Sequence, residues 1–508
     1  MNRKRSKWCY ATACSGRDIT YTLVAMFFMS YIQFTHLVNE AQFAVLTGII
    51  IACRVWDAIN DPMMGTLISN TKSKFGKYRP WILIGAVVNA VILALMFSVR
   101  VEVGDNIATV GWWNVGILGA LYLLWGMTFT MNDVAYWSLL PVLAEDKKDR
   151  DNLTTMVAVF ASVGAFVAGG LVPVLAPGNA VKAYRYIAIS FAIVFVISQI
   201  IVFFFTHDNK NDTFTISRDE IESQSKEKSI NLKDMFKILF RNKQLLVMAI
   251  VVLFYTLSSV LLTSFGTNFF YFKFGYDGDR IFIFTVIYAV GTLIAQSLYP
   301  LLARKLKRMT IVTWSTLATV IGFALFALFA LIPMNSTACF ALLGVSSFIV
   351  FAGQGTFYMA MLVMLTNTIE YDEWKTGDRN EAITFSVRPF MVKLSGALEI
   401  LTITVVLLAC GLYQYTTQIG EIETQIAAGT ITQEIAQSQI ATILAQATPG
   451  QLAGLTLSMT LVPLVLMIVC YVILKRKYII DEDMYDKMVK EINERKETKV
   501  EEKTNLNA

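Results

Sequence analysis

Twelve apolar stretches, each long enough to cross a lipid bilayer, constrain this chain before any single residue is considered. They fall at about 9–37, 42–69, 80–101, 113–143, 153–176 and 183–206, then at about 244–272, 280–302, 309–333, 338–368, 382–413 and 452–474. A helix rising 1.5 Å per residue needs about 20 apolar residues to span a hydrocarbon core about 30 Å thick. A charged segment separates the first six stretches from the second six. The pattern predicts an all-α integral membrane protein of twelve transmembrane helices in two six-helix bundles. The expected divisions are an N-terminal bundle over 1–206, a linker over 207–243, a C-terminal bundle over 244–475 and a tail over 476–508.

Composition agrees. The chain is 55% hydrophobic and 16% charged, against about 25% charge in a soluble domain. Its net charge of +5 does not point to nucleic acid, because the basic residues sit in loops between apolar spans. Six cysteines (Cys9, Cys14, Cys53, Cys339, Cys410, Cys470) lack metal-ligand spacing, and His36 and His207 have no partner at such spacing. No nucleophile–base set or phosphate loop is visible, so the chain does not read as an enzyme. No cofactor is expected.

The short basic turns Lys72–Arg79 and Arg304–Arg308 occupy equivalent places in the two halves, a faint internal repeat. Of the 43 Lys and Arg, only Arg100, Lys182, Arg185, Lys273 and Arg280 fall in loops on the far side when the N-terminus is inside. Arg17, Arg54, Arg388 and Lys393 fall within spans. The bias places both termini in the cytoplasm. In the linker, Leu232, Met235, Phe236, Leu239 and Phe240 share one face and predict an interfacial amphipathic helix. The loop over 416–450 lacks Lys and Arg, and Ile431, Ile435, Ile440 and Leu444 suggest a short helix there. From Ile480 the tail is charged and predicts a soluble helix.

Within the second span, Asp57 and Asp61 lie four residues apart and therefore on one helix face, with Asn60 beside them. A carboxylate at mid-bilayer costs about 2.5–3.5 kcal/mol even on the mildest scale, and two on one face repel. A bound monovalent cation relieves both problems, and two carboxylates with an amide carbonyl supply the oxygen ligands it needs. The alternative is that Arg54, three residues before Asp57, neutralises one carboxylate and leaves Asp61. In the fourth span Thr130 offers a further oxygen. Asp133 and Trp137 place a hydrogen-bond acceptor beside a flat apolar plate, which suits a sugar ring, although Trp137 alone reads equally as packing. Arg17-Asp18 lies deep in the first span. Arg388, Lys393 and Glu399 lie within the eleventh. These spans hold five acids (Asp18, Asp57, Asp61, Asp133, Glu399) against four bases, a deficit of one positive charge that one monovalent cation would fill.

Several of these residues stand in longer motifs. They are Arg54-Val-Trp-Asp57-Ala-Ile-Asn60-Asp61-Pro-Met-Met-Gly65, Phe75-Gly-Lys-Tyr-Arg-Pro-Trp81, Asp133 with Tyr136-Trp137-Ser138-Leu139, and Ile369-Glu-Tyr-Asp-Glu-Trp-Lys-Thr-Gly377. In this combination the chain resembles the glycoside–pentoside–hexuronide:cation symporter family of the major facilitator superfamily. The resemblance implies a multi-pass transporter of the cell membrane that rocks around a midplane site. It further implies symport of a glycoside, oligosaccharide or hexuronide with Na⁺ or H⁺. It assigns the cation to Asp57, Asn60, Asp61 and Thr130, and the substrate to Asp18, Asp133 and Trp137, with Lys393 near the cation. The chain departs from the family where Ala158 replaces a sugar-binding arginine and Arg388 appears in the eleventh span. That exchange suggests a changed substrate, with a uronide carboxylate as a specific partner for Arg388; a structural pairing of Arg388 with a neighbouring acid is the alternative. The expected partners are a sugar or glycoside, a monovalent cation and the bilayer, with no nucleic acid and a functional monomer. Rival readings are symport of a lysolipid on the same fold and a membrane receptor that does not transport.

Overall fold

A computed structural model describes residues 3–71, 73–103, 106–144, 147–206, 232–332, 336–377 and 381–506. Residues 207–231 of the expected linker, and Lys72 of the first basic turn, lie outside the described set. The described residues are helical and contain no strand. The elements are α1 (Arg3–Gln33), α2 (Glu40–Ser69), α3 (Arg79–Ser98), α4 (Ile107–Leu143), α5 (Lys147–Leu175), α6 (Ala180–Phe205), α7 (Leu232–Arg241) and α8 (Lys243–Phe274). They continue with α9 (Asp279–Ala303), α10 (Arg308–Leu331), α11 (Thr337–Thr376), α12 (Glu381–Ala409), α13 (Tyr413–Ala428), α14 (Gln433–Ala445), α15 (Pro449–Lys477) and α16 (Glu482–Leu506).

Ten helices, α3–α6, α8–α12 and α15, are long and apolar enough to cross a membrane. The two segments of α2, Glu40–Asp57 and Ile59–Ile68, make an eleventh when counted as one span. α1, the first of the twelve expected spans, has 31 residues but falls outside this set. Its apolar character is diluted by Arg17, Asp18, Thr20, Thr22, Ser30 and Gln33. All of these except Asp18 are buried, so α1 turns its polar side into the protein and needs no uniformly apolar surface.

The chain forms two compact units. Unit 1 comprises residues 1–229, 264–286 and 400–455. In it α1 packs on α5 and α6, α3 on α4 and α6, and α2 on α4. Its core is aromatic: Phe28 stacks on Tyr122 and meets Phe97 edge-on, while Tyr31 contacts Phe97 and Tyr184. Lipid tails are as apolar as these rings, so close packing rather than escape from water holds such helices together.

The loop over 416–450 folds as a helical hairpin within unit 1. The expected short helix is α14, with Ile440 and Leu444 buried and Ile435 exposed. α13, which the apolar pattern did not suggest, docks on the α1–α2 turn. The Tyr413 ring stacks on Phe43 at 4.3 Å and its hydroxyl donates to the Val38 carbonyl at 3.0 Å. A Cβ at Gly420 would come within 2.6 Å of the His36 amide nitrogen, so only glycine allows this approach. Glu423, fully buried, accepts from the Gly178 and Ala180 amides, each at 2.7 Å. It thereby satisfies free N–H groups at the start of α6, where Asn179 makes no side-chain cap. Burial pushes the Glu423 carboxyl up to about 6, against the pull of those amides and of Tyr276.

Unit 2 comprises residues 230–263, 287–399 and 456–508. Tyr255 stacks on Phe357 at 5.2 Å in its core. The expected amphipathic helix is present as α7. Leu239 is buried, Phe236 meets Phe390 edge-on, and Phe240 stays exposed. α16 docks against the end of α11, where Trp374 Nε1 donates to Glu491 at 2.6 Å.

Candidate functional site

α2 and α4 meet through matched pairs of residues. On α2, Asp57 and Asn60 are buried and Asp61 is half-buried. On α4, Thr130 Oγ1 donates to Asp61 Oδ1 at 3.2 Å. One turn earlier, a Cβ at Gly126 would lie 2.5 Å from Asp57 Oδ1. The missing side chain therefore leaves the space that Asp57 fills. Because i and i+4 share a helix face, Gly126 and Thr130 oppose Asp57 and Asp61 in register.

Arg54 is buried beside this group. Its guanidinium lies 5.7 Å from the Tyr122 ring centroid, and Tyr122, Tyr21 and Asp57 all act on it electrostatically. Its Nε has no hydrogen-bond partner, and neither does Asn60 Nδ2. Thr130 spends its proton on Asp61, so its lone pairs remain for a cation. The carboxylate, amide and hydroxyl donors of this group are hard oxygens. Among the described residues no three His, Cys, Asp or Glu side chains converge as a metal cluster.

A second cluster joins α1 to α4. Arg17 Nη2 lies 2.9 Å from Asp18 Oδ2, and Nη1 lies 2.9 Å from Asp133 Oδ1. The guanidinium carbon sits 5.2 Å from the Trp137 ring centroid and 4.9 Å from that of Tyr136. Cys14 Sγ contacts Asp18 Oδ2 at 3.1 Å. Arg17 is buried, whereas the side chains of Asp18 and Asp133 are 22% and 37% exposed. Tyr10 and Tyr136 fix the frame: their rings stack at 4.3 Å and each hydroxyl donates to the other's carbonyl. Asp18, Asp133 and Trp137 are thus brought together, and Arg17 joins them.

Arg388, Lys393 and Glu399 belong to unit 2. Arg388 Nη2 donates to the Tyr358 hydroxyl, and its guanidinium lies 5.8 Å from the Tyr358 ring centroid. Among the described residues no acid pairs with Arg388, so the structural pairing weighed from the sequence is absent there. Lys393 and Glu399 are half-buried.

Sequence reasoning passed over Gly126, Tyr21 and Tyr358. Gly126 had a signal, since it lies four residues before Thr130. The tyrosines had none among 20 tyrosines in the chain.

The family described as MFS/sugar transport protein matches residues 9–482. A lactose permease of Lactobacillus delbrueckii subsp. bulgaricus is 27% identical over 80% of this chain and 63% of its own length. The chain therefore spans less than two thirds of that relative. A glucuronide carrier protein homolog of Escherichia coli is 23% identical over 77% of this chain and 80% of its own length. Among solved structures, an inward-facing bacterial homolog of the human lysosomal transporter Spinster superposes with a TM-score of 0.63 at 12% identity. That likeness covers 94% of this chain and 98% of the other, and it shows the same fold.

Proposed function

Because the chain belongs to the MFS/sugar transport protein family, a multi-pass membrane family, we propose that it is a secondary active symporter. It couples a monovalent cation, Na⁺ or H⁺, to uptake of a glycoside, oligosaccharide or hexuronide by alternating access. Both termini lie in the cytoplasm, following the Lys and Arg bias. One chain acts as the functional unit.

The observation that supports the reading is the α2–α4 group, in which buried Asp57, Asn60 and Thr130 and half-buried Asp61 lie together as hard oxygen donors. A monovalent cation there is held by oxygen atoms. Sugar hydroxyls bind the carboxylates of Asp18 and Asp133, with a ring face on Trp137. Crossing with one ligand missing leaves charge or polar groups uncompensated in the barrier, and that difference couples the two fluxes. Among the described residues Arg388 has a tyrosine hydroxyl and no acid as partner, which favours a hexuronide because its fork can take a carboxylate.

Purified protein in liposomes tests this directly. A panel of neutral glycosides and glucuronides is offered with Na⁺, Li⁺ or pH gradients imposed separately. Uptake against a gradient with one cation supports the reading, and ligand binding without any gradient-driven uptake would favour a receptor.

A further inference from the structure

A cluster of unsatisfied donors lies at the end of unit 1 that carries the α1–α2, α3–α4 and α5–α6 turns. Arg100 follows the last turn of α3, and its side chain is only 5% exposed. Its Nε and Nη1 are buried without a hydrogen-bond partner. Arg185, in the second turn of α6, has a buried Nε in the same state. Two hydroxyls join them, Tyr31 on α1 (1% exposed) and Ser98 at the end of α3, both buried at the oxygen and both unpartnered. The Tyr31 ring lies 4.8 Å from Phe97 and 5.4 Å from Tyr184, the neighbours of Ser98 and Arg185 in the chain, so the four residues share one corner.

The remaining contacts are weak. Arg100 Nη2 reaches Thr424 Oγ1 at 3.4 Å, and Arg185 Nη2 reaches the Ser98 carbonyl at 3.4 Å. Among the described residues Glu102 is the acid that approaches, 3.6 Å from Arg100 Nε, with a side chain 75% exposed. A solvated carboxylate at that distance offsets little of a buried charge. Three guanidinium nitrogens and two hydroxyls held out of water without acceptors are unfavourable unless something supplies both acceptors and negative charge. Water supplies acceptors but no charge. A halide supplies charge but cannot match the two-pronged edge of a guanidinium. A phosphate-type oxyanion supplies both, with several oxygens for these donors.

We propose that Arg100, Arg185, Tyr31 and Ser98 form a binding site for a phosphate-type oxyanion, either free phosphate or the phosphodiester of an anionic lipid headgroup. The site is separate from the α2–α4 and Arg17 clusters and stands whether or not the transport reading holds. Bound there, the anion ties α1, α3 and α6 together beside α13, which reaches the corner through Thr424.

The test uses the full chain purified in detergent. Inorganic phosphate is titrated calorimetrically against a chloride control at matched ionic strength, and native mass spectrometry follows retention of phosphatidylglycerol supplied in nanodiscs. Saturable phosphate binding that weakens about tenfold or more in Arg100→Gln/Arg185→Gln supports the free-ion source. Weak phosphate binding, with phosphatidylglycerol retained by the unaltered chain and lost by that variant, supports the headgroup. If the double arginine variant does not fold, Tyr31→Phe/Ser98→Ala decides, and it should weaken whichever probe binds by a few-fold. Failure of both probes to bind the unaltered chain, or equal binding by it and the variants, overturns the proposal.

Discussion

The two polar clusters of unit 1 have the same charge count and opposite construction. Each combines two carboxylates with one arginine. Around Arg17 the guanidinium stands between its acids, 2.9 Å from each. Around Asp57 and Asp61 the corresponding base, Arg54, lies over the Tyr122 ring with Tyr21 and Asp57 also acting on it, while Asp61 receives the Thr130 hydroxyl and the Asn60 amide nitrogen has no partner. The first cluster carries its own cation. The second, on the proposed reading, leaves that role to an exchangeable one. What separates them is the direction in which the arginine points, not the number of charges.

The largest effect should come from removing the resident cation. Arg17→Gln leaves Asp18 and Asp133 without their shared partner, and breaking a buried pair costs on the order of 3 kcal/mol. Thermal melting should fall and sugar binding should vanish in the same variant. Asp61→Ala should instead spare stability but abolish concentrative uptake in liposomes, with weak sugar binding remaining. Normal accumulation by Asp61→Ala would erase the distinction between the clusters. Gly126→Ala sharpens it, because the new methyl group must displace the Asp57 carboxylate. Cation affinity should drop about tenfold, as when a metal's supporting contacts are altered, while sugar affinity at saturating cation changes little.

The smallest effect concerns Glu423, a buried acid outside the membrane-spanning helices with amide donors and no arginine. Its pKa in the folded chain, about 6, lies above the ordinary 4.5. The docked hairpin therefore binds the proton more tightly than an undocked one. The resulting stability is fully present below about 4.5 and is lost as pH rises through about 6. The gain is at most about 2 kcal/mol. Protection factors across 413–428, with intrinsic exchange divided out, should be higher at pH 5 than at pH 7.5, and Glu423→Gln should flatten that dependence.

Most of the architecture was legible because the bilayer imposes a length and a polarity that sequence displays directly. The amphipathic face of α7 was readable for the same reason, as was the pairing of Asp57 with Asp61 by helical spacing. α1 shows the limit. Its polar residues are buried against neighbouring helices, so its composition understates its place in the bundle. α13 was missed because Glu423 looks like any surface acid until Gly178 and Ala180 are seen to donate to it. The direction of Arg54 was also beyond reach, since spacing places a side chain on a face but does not choose between Tyr21 and Asp57 as its neighbour.

The reciprocal hydroxyl-to-carbonyl clasp between Tyr10 and Tyr136 has a mechanical implication. Trp137 is the next residue after one half of the clasp, and Arg17 lies two turns beyond the other. The plate and the cation beneath it are therefore riveted to both helices at once. α1 and α4 should travel through the cycle as a single body, and spin labels at Trp8 and Val142 should hold one separation in every state while labels elsewhere report motion.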